Sequence, residues 1–162
     1  MNTYLPLSMK TETTRIQQLL KNSWDGPMWH GTNLKEALKD IDAQKAFRKP
    51  ATGSHNIYEL VKHLYCWRKF VTEHLNGNAD FKVELNSAFD WPVEYGTTEA
   101  DWQQALSDLE KSQAELMDAV VKLEESQLDE SMHGRKFSWY HLVHGLIHHD
   151  IYHSGQIAIL KR

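Results

Sequence analysis

The sequence has few of the residues that cross-link a chain or interrupt its regular structure. It contains one cysteine, Cys66, with four prolines and eight glycines among 162 residues. One cysteine cannot form an internal disulfide, and this scarcity of thiols is typical of proteins from a reducing compartment. We therefore expect a cytoplasmic protein without disulfide bonds.

Long apolar segments and an excess of positive charge are also missing. No apolar run reaches the roughly 18 residues that a membrane-spanning helix requires, so we expect no membrane insertion. The N-terminal segment MNTYLPLSMK lacks the basic region and apolar core of a secretory signal. The formal net charge of -4 argues against binding to a phosphate backbone, so we expect no nucleic-acid partner.

The composition is that of an ordinary globular domain with an excess of histidine. Hydrophobic residues make up 41% and charged residues 25% of the chain, which is enough apolar material for a core. A length of 162 residues fits one domain, and we expect residues 1–162 to form it. Histidine occurs ten times, and half of these residues lie between His141 and His153.

Hydrophobic periodicity predicts helices along most of the chain and no alternation of strands with helices. The predicted helices are, in approximate bounds, 11–24, a short helix after Asn33 that ends before Pro50, 54–75, 102–123 and 138–161. Asn33 and Glu36 have the spacing of a capping box at the start of the short helix. Over 102–123, apolar residues recur at alternating steps of four and three residues, interrupted only by Gln113, which is typical of bundles.

The segment from Gly77 to Thr97 has no helical period. It contains Asn, Gly and Asp residues and the pair Trp91-Pro92, which are typical of loops. We therefore interpret it as a long connection that could include two short, paired extended segments. Four long helices, one short helix and one long crossover connection predict an all-α protein, an up-down four-helix bundle.

Two pairs of histidines on the last predicted helix have a spacing suited to a shared metal ion. His149 and His153 would lie on one helical face with Cβ atoms about 5–6 Å apart, so that their ring nitrogens can both reach an ion at about 2.0–2.1 Å. His144 and His148 have the same spacing. A helical wheel places His149 and His153, but not the other pair, among the apolar residues that must face the bundle. We therefore predict His149 and His153 as ligands.

A third ligand is expected from another helix, because metal sites in bundles are built from facing helices. His63 lies in the middle of the helix predicted over 54–75, on the stripe that carries Leu60, Trp67 and Phe70. Three imidazoles would leave a fourth coordination position for water or substrate, as in catalytic zinc sites. Imidazole suits Zn, Ni and Fe alike, so the sequence does not choose the metal. Since a ligand histidine must be neutral, an ordinary pKa of about 6.5 predicts weaker binding below about pH 6.

These histidines also have purely structural interpretations. A histidine such as His63, taken alone, is more often a core residue with a hydrogen-bond partner than a ligand. His141, His144 and His148 are interpreted as surface or subunit-contact residues. The acidic positions from 101 to 125 have the pattern of the exposed side of a bundle helix.

Four further residues near the predicted ligands have open roles. Tyr152 and Gln156, close to the ligand pair on the helical wheel, would contact substrate or support a ligand. Glu59, one turn before His63, would orient that ring or act as a base, or else is a solvated helix charge. Cys66, three residues after His63, is either a ligand or reactive thiol, or a small buried hydrophobe.

Three segments resemble those of the DinB-like superfamily, named for a damage-inducible protein. The segment GLIHHDIYHSGQIAIL (145–160) resembles the closing signature of that family, a His, three residues, and a His followed by a small residue, Gly and Gln. The segment NIYELVKHLYCWRKF (56–70) is similar to its second helix, and PMWHGTNLKEAL (27–38) to a segment of one branch. The resemblance covers nearly the whole chain.

The resemblance implies a four-helix bundle, expected as a homodimer, in which His63, His149 and His153 hold one divalent ion. Relatives include transferases and isomerases that use a low-molecular-weight thiol, together with members that have no assigned activity. We expect a metal-dependent enzyme of thiol-transferase type that acts on a small electrophile. A metal-dependent hydrolase and a non-enzymatic, metal-stabilised interaction bundle are the alternatives.

Overall fold

Six α-helices and no strand are present in residues 10–50, 53–92 and 96–162, the part of the chain that a computed structural model describes. The helices are α1 (Glu12–Asp25), α2 (Leu34–Leu38), α3 (Ala43–Phe47), α4 (Ile57–Leu75), α5 (Glu99–Val121) and α6 (Trp139–Leu160), with a short 3-10 turn at Glu125–Gln127. The four long helices pack together, which confirms the predicted all-α bundle.

Polar caps determine where the helices begin. At α4 the Asn56 side chain accepts a hydrogen bond from the Glu59 backbone, and the Glu59 carboxylate accepts one from the Asn56 backbone. This reciprocal pattern is a capping box, and Asn33 and Glu36 form the predicted one at α2. Ser138 caps α6. The caps of α4 and α6 set the starting positions of the two helices that carry the candidate ligands.

The short helix expected after Asn33 consists of two helices, α2 and α3. Asp40 between them has a left-handed backbone with φ of 57°, which an α-helix does not contain. Asp42 then caps α3 by accepting a hydrogen bond from the Lys45 backbone. The prediction of a single helix was wrong because the apolar period continues across this turn to Ile41, which is buried.

The connection between α4 and α5 contains neither helix nor strand in its described residues, 76–92 and 96–98. The long crossover is therefore present, and its described residues do not form the extended pair that the sequence left open. It lets α4 and α5 run in the same direction. Lys62 of α4 pairs with Asp108 of α5 at 3.5 Å, and Lys69 pairs with Glu115, seven residues further along both helices, at 3.4 Å.

The four long helices run up, down, down and up in chain order. Leu60 and Leu160 line one cavity and Phe70 and Leu142 line another, so α4 and α6 are antiparallel. Contacts at both ends of α1 show that it runs in the same direction as α6. Helix α4 packs against α5 and α6, and α1 packs against the same two helices.

Two apolar clusters fill the bundle, one toward each end of the long helices. Between them lies a group of buried polar residues, near the middle of α4, α5 and α6 and close to the end of α1. We call this group the polar layer: Ser23, Arg68, Ser112, Gln113, Asp150 and Ser154. The candidate metal centre adjoins this layer, where α4 and α6 face each other.

Candidate metal centre

Three imidazoles from α4 and α6 converge near the middle of the bundle. His149 Nε2 lies 3.0 Å from His63 Nε2 and 3.1 Å from His153 Nε2. His63 comes from α4, whereas His149 and His153 lie one turn apart on α6. His63 and His153 are buried, and the side chain of His149 is 25% exposed. The structure thus brings together the three residues that the sequence identifies as candidate ligands.

The spacing of the three nitrogens suits one metal ion. Around a tetrahedral ion with nitrogen ligands at about 2.0–2.1 Å, neighbouring nitrogens lie about 3.3 Å apart. The separations of 3.0 and 3.1 Å between His149 and the other two rings are close to that value, and all three ligand atoms lie within 4.8 Å of one another. Within residues 10–50, 53–92 and 96–162, this is the one group of three or more His, Cys, Asp or Glu side chains that could hold an ion. The protein therefore contains a buried three-histidine cluster that could bind a metal.

Asp90 holds the outer side of the His63 ring. His63 Nδ1 lies 2.8 Å from Asp90 Oδ1 and 3.1 Å from the Asp90 carbonyl oxygen. Because both oxygens are acceptors, Nδ1 carries the proton and donates, and Nε2 presents its lone pair to the centre of the cluster. A carboxylate in this position is common behind metal-bound imidazoles, where it fixes the ring orientation.

Asp90 is itself firmly held and only 2% exposed. Its Oδ1 accepts a hydrogen bond from Trp67 Nε1 at 3.0 Å, and its Oδ2 accepts one from the Asn86 backbone at 2.9 Å. Sequence analysis missed Asp90 because it lies in the connection before α5, where no period relates it to His63. The one available signal, an acidic residue between two aromatic residues, does not identify a partner.

Gln156 orients His153 in a similar way. Gln156 Oε1 accepts a hydrogen bond from His153 Nδ1 at 2.6 Å, so that Nε2 faces the other two rings. Gln156 Nε2 in turn donates to the Tyr152 hydroxyl at 3.2 Å. Tyr152 is 64% exposed and packs edge-on against His153, with ring centroids 4.9 Å apart. Gln156 thus supports a candidate ligand, while Tyr152 lies at the surface beside the cluster.

His149 has no such partner at its outer nitrogen. Its Nδ1 is buried without a hydrogen bond, and so is Asp150 Oδ1, which lies 4.0 Å away. The other carboxylate oxygen of Asp150 accepts two hydrogen bonds from the buried Arg68 guanidinium, at 3.2 and 2.7 Å. An unsatisfied buried polar atom costs about 1–3 kcal/mol. A shift of about 1 Å would bring the two atoms within hydrogen-bond distance, so Asp150 is placed to hold this third ring.

The buried face of α6 lies to one side of the sector expected from the sequence. Its buried residues are Val143, Leu146, Ile147, Asp150, His153, Ser154 and Ile157. The helical wheel predicts instead a buried sector made of Leu142, Leu146, His149, His153, Gln156 and Leu160. Only Leu146 and His153 belong to both sets. The difference arises because Asp150 is buried as an ion pair with Arg68, whereas a helical wheel treats an acidic residue as solvent-facing.

Glu59 is buried at the start of α4, and its interpretation as a solvated helix charge was wrong. It is 4% exposed, and its carboxylate lies 2.5 Å from Lys49 Nζ and 3.2 Å from His55 Nδ1. The His55 ring stacks on Trp91 at 3.6 Å between centroids, and Trp91 stacks on His63 at 3.8 Å. Glu59 is therefore connected to His63 through two stacked rings that sequence analysis did not single out.

Cys66 is completely buried in α4. Burial raises the pKa of its thiol to about 12. A cysteine acts as a metal ligand or nucleophile in its thiolate form, and this thiol stays protonated near neutral pH. Cys66 is also not part of the three-histidine group. Its surroundings are those of a small buried hydrophobe.

Burial keeps the three imidazoles neutral. It lowers the pKa of His149 to about 3, and electrostatic repulsion from the nearby His153, His63 and Arg68 adds to this effect. Burial also lowers the pKa of His63 and of His153, although the hydrogen bonds of these rings to Asp90 and Gln156 act to raise it. Neutral imidazole is the form that binds a metal, so the three rings are in this form at pH 7.

The second histidine pair of α6 lies away from the cluster. His144 packs on Tyr140, with ring centroids 4.2 Å apart, and its Nε2 is 3.9 Å from Glu12 Oε1. His148 is exposed, with its ring 6.3 Å from that of His144. Among the described side chains, no group able to hold a metal includes either residue.

Comparison with known proteins places these observations in a family. Over the described ranges, no helix is long and apolar enough to cross a membrane. No curated protein and no solved structure matches the chain. The family model of the DinB superfamily matches residues 29–157, a range that contains His63, His149 and His153. Since this match covers most of the chain and confirms the resemblance seen in the sequence, the protein belongs to the DinB superfamily.

Proposed function

We propose that the protein binds one divalent metal ion through His63, His149 and His153, and that it is a metal-dependent enzyme. The observation that carries the proposal is the convergence of the three Nε2 atoms, at 3.0 and 3.1 Å. Asp90 and Gln156 make two of these atoms hydrogen-bond acceptors. Each of these two acceptors needs a hydrogen-bond donor, and a neutral His149 has only one N–H proton to donate. Without an ion, at least one buried lone pair therefore stays unsatisfied. One metal ion accepts all three lone pairs.

The side chains of the cluster suit Zn, Ni or Fe, since imidazole binds each of them. When bound, such an ion lowers the pKa of a coordinated thiol or water, which makes a nucleophile available near neutral pH. The protein's own contribution is orientation: Asp90 keeps the His63 proton on Nδ1, and Gln156 keeps the His153 proton on Nδ1. Trp91 covers one face of His63 and limits access of water to that ring.

The number of ligands favours a catalytic site over a structural one. Structural zinc sites usually have four protein ligands, whereas catalytic sites have three and keep one position for water or substrate. The cluster offers three ligands within the described part of the chain. Cys66, the first candidate for a fourth, has a protonated buried thiol and is not part of the group.

For the reaction, we propose transfer of a low-molecular-weight thiol to a small electrophile. In such a reaction the sulfur forms a bond to an electrophilic carbon while the bond from that carbon to a leaving group breaks. The leaving group departs with the electron pair, and the thiol proton is released to solvent or to a base. Support comes from the resemblance to relatives that use thiols. A cavity of about 440 Å³ beside His153, whose walls include Leu60, Trp91 and Tyr152, offers space for a small substrate.

Two other functions are compatible with the same cluster. A hydrolase would place water where the thiol is proposed. A non-enzymatic role is favoured by the position of the ligands on two different helices, because an ion would cross-link α4 to α6 and stabilise the bundle. The two enzymatic functions need access to the ion, whereas the third does not.

Access to the ion therefore provides the test. Purified without chelator or affinity tag, the protein should contain about one divalent ion per chain. After replacement by Co(II), addition of azide or a small thiol should change the intensity and position of the visible bands. The variant Cys66→Ser is the matched control and should respond in the same way.

Two results would contradict the proposal in different ways. Absence of metal, with no uptake of added Zn or Ni, would contradict metal binding altogether. A Co(II) spectrum that is unchanged by every small ligand would contradict the enzymatic function and support the cross-linking role.

A further inference from the structure

A second cavity adjoins the three-histidine cluster on the side of His149. Its volume is about 470 Å³. It is formed by α4, α6 and loop residues on both sides of α5, among them Val83, Leu85 and Phe137. The cavity beside His153 is lined by different residues. The cluster is therefore bordered by two separate cavities, and the proposed function uses only one of them.

The wall of this second cavity is apolar and carries one permanent cation. Among the described residues that line it, the ionisable side chains besides Arg135 are those of His141 and His149, and none is Asp or Glu. The Arg135 guanidinium lies 6.0 Å over the ring of Phe70, within the cavity wall. Arg135 belongs to none of the ion pairs that lysine and arginine side chains form among the described residues. Arg135 thus faces an apolar surface without a carboxylate of the described chain beside it.

We propose that this cavity binds a small organic anion with an apolar body of aromatic size, such as an aryl carboxylate or aryl sulfonate. The guanidinium of Arg135 offers two parallel N–H donors to the anionic group. Phe70, Phe137 and Val83 pack against the apolar body, whose inner end reaches His149. The volume of 470 Å³ lies within the range of about 300–1,000 Å³ that is common for small-molecule sites.

The charge of the wall decides between this ligand and others of similar size. A cationic ligand would meet Arg135 and find no carboxylate among the described residues of the cavity wall. A neutral apolar ligand would fill the space but would leave the guanidinium without an anionic partner. Binding of the anion requires no metal ion; only the further role of this cavity as the substrate site rests on the proposed function.

Two variants separate the apolar and charged parts of the cavity. Gly145 of α6 lines the cavity, and a Cβ atom at this position would point into open space, so Gly145→Leu places its side chain in the cavity. Gly155→Leu is the matched control, because it is equally open on the same helix but borders a different cavity. Arg135→Gln removes the cation. Arg15→Gln, at an exposed position of α1, is the control for that change.

Binding is measured by fluorescence titration with two probes that share one aromatic skeleton. These are 1-anilinonaphthalene-8-sulfonate and N-phenyl-1-naphthylamine, which lacks the sulfonate. Arg135→Gln should weaken binding of the sulfonate about tenfold and change binding of the neutral probe less than twofold. Gly145→Leu should weaken both at least tenfold. Both control variants should stay within twofold of the unmodified protein, with chelator present or absent.

A third variant gives an independent test if the filled cavity disturbs folding. Leu85 is 70% exposed at the cavity wall, so Leu85→Glu is tolerated and adds a negative charge there. It should weaken binding of the sulfonate probe selectively. The proposal is overturned if Arg135→Gln and Leu85→Glu leave the preference between the probes unchanged, or if folded Gly145→Leu binds both probes normally. Because chelator is present in one arm, these outcomes do not depend on whether the chain binds a metal.

Discussion

At the scale of single residues, the position of one proton decides whether a histidine can be a ligand. A neutral imidazole has one lone pair on a ring nitrogen, and a hydrogen bond at the other nitrogen selects which one. Asp90 makes this selection for His63, and Gln156 makes it for His153. Asp90 also brings a negative charge, which increases the basicity of the ring that it holds. We therefore expect residues outside the three-histidine cluster to control the affinity of the proposed metal site.

The variant Asp90→Asn tests this control. It keeps the size of the side chain and an oxygen that can bind Trp67 Nε1, but it removes the charge behind His63. We expect metal affinity to fall by about tenfold, because loss of such supporting partners typically costs 10–100-fold. Competition with a chromophoric chelator measures the change. Asp80→Asn, at an exposed position of the same connection, is the control, and equal affinities for the two variants would show that Asp90 has no role in metal binding.

The lowered pKa values predict how binding depends on pH. Three ligand histidines with an ordinary pKa of about 6.5 would bind metal about 1,000-fold more weakly at pH 5.5 than at pH 7.5, because protons compete for each ring. Burial lowers the pKa of all three, that of His149 to about 3. A lower pKa moves the competition between proton and metal to lower pH. Protonation of His149 therefore adds almost nothing to the loss of metal affinity between pH 7.5 and 5.5, and the total loss should be at most about 100-fold.

Chelator competition across this pH range measures the loss of affinity, and a 1,000-fold loss would contradict the burial argument. The same pKa values affect folding. The unfolded chain takes up protons below about pH 6.5 that the buried rings of the folded protein do not, so the metal-free fold loses stability as the pH falls through that value. Far-UV circular dichroism must therefore show at each pH that the metal-free protein is folded.

The residues of the candidate site differ in how far the sequence could reveal them. His63, His149 and His153 lie on regular helices, where a spacing of four residues and a fixed period define a face. Asp90 lies in a connection without a period, and its contact with His63 arises only when the chain folds back. Asp150 lies on a regular helix, but its burial depends on pairing with Arg68, whose position on another helix is a property of the fold.

At the scale of helices, boundaries were predictable where capping residues precede an apolar period. This holds for α1, α4 and α6, whose predicted bounds agree with the structure within about three residues. It fails between α2 and α3, where Asp40 turns the chain although the apolar period continues. The predicted and observed buried faces of α6 also differ. Polar groups in the core cause this difference, because they change which side of α6 is buried without changing where the helix begins or ends.

Helix α6 carries two histidine pairs with the same spacing, and the structure predicts different roles for them. His149→Ala should abolish tight metal binding because it removes the ring that lies within 3.1 Å of both other ligands. The double change His144→Ala with His148→Ala should leave binding unchanged, since neither side chain belongs to the cluster. Equilibrium dialysis with Zn distinguishes the variants. Loss of metal by the double variant, with its helical signal retained, would contradict this assignment.

At the scale of the whole molecule, the bundle divides its apolar core at the polar layer. The Arg68–Asp150 pair is almost completely buried there, with both charges removed from water. Such a pair contributes little net stability, because its attraction is offset by the loss of hydration. The crossover before α5 supplies Asp90, and the antiparallel packing of α4 against α6 brings their histidines together. The fold therefore assembles the cluster from two helices and supplies its supporting carboxylate from a third part of the chain.

A bound ion should make this assembly more stable. The unfolded chain does not hold three histidines together, so metal binds the folded state selectively and stabilises it by about 4 kcal/mol at a free concentration 1,000 times the Kd. For a domain of this size that corresponds to an increase of about 10 °C in Tm. Calorimetry of metal-free protein with and without added Zn measures the increase, which the double variant His144→Ala with His148→Ala should retain. His149→Ala should lose it, because a cross-link between α4 and α6 needs ligands from both helices and a complete cluster. An equal increase for His149→Ala would mean that the stabilising ion binds elsewhere, and the cross-linking role would then have to be assigned to a different part of the chain.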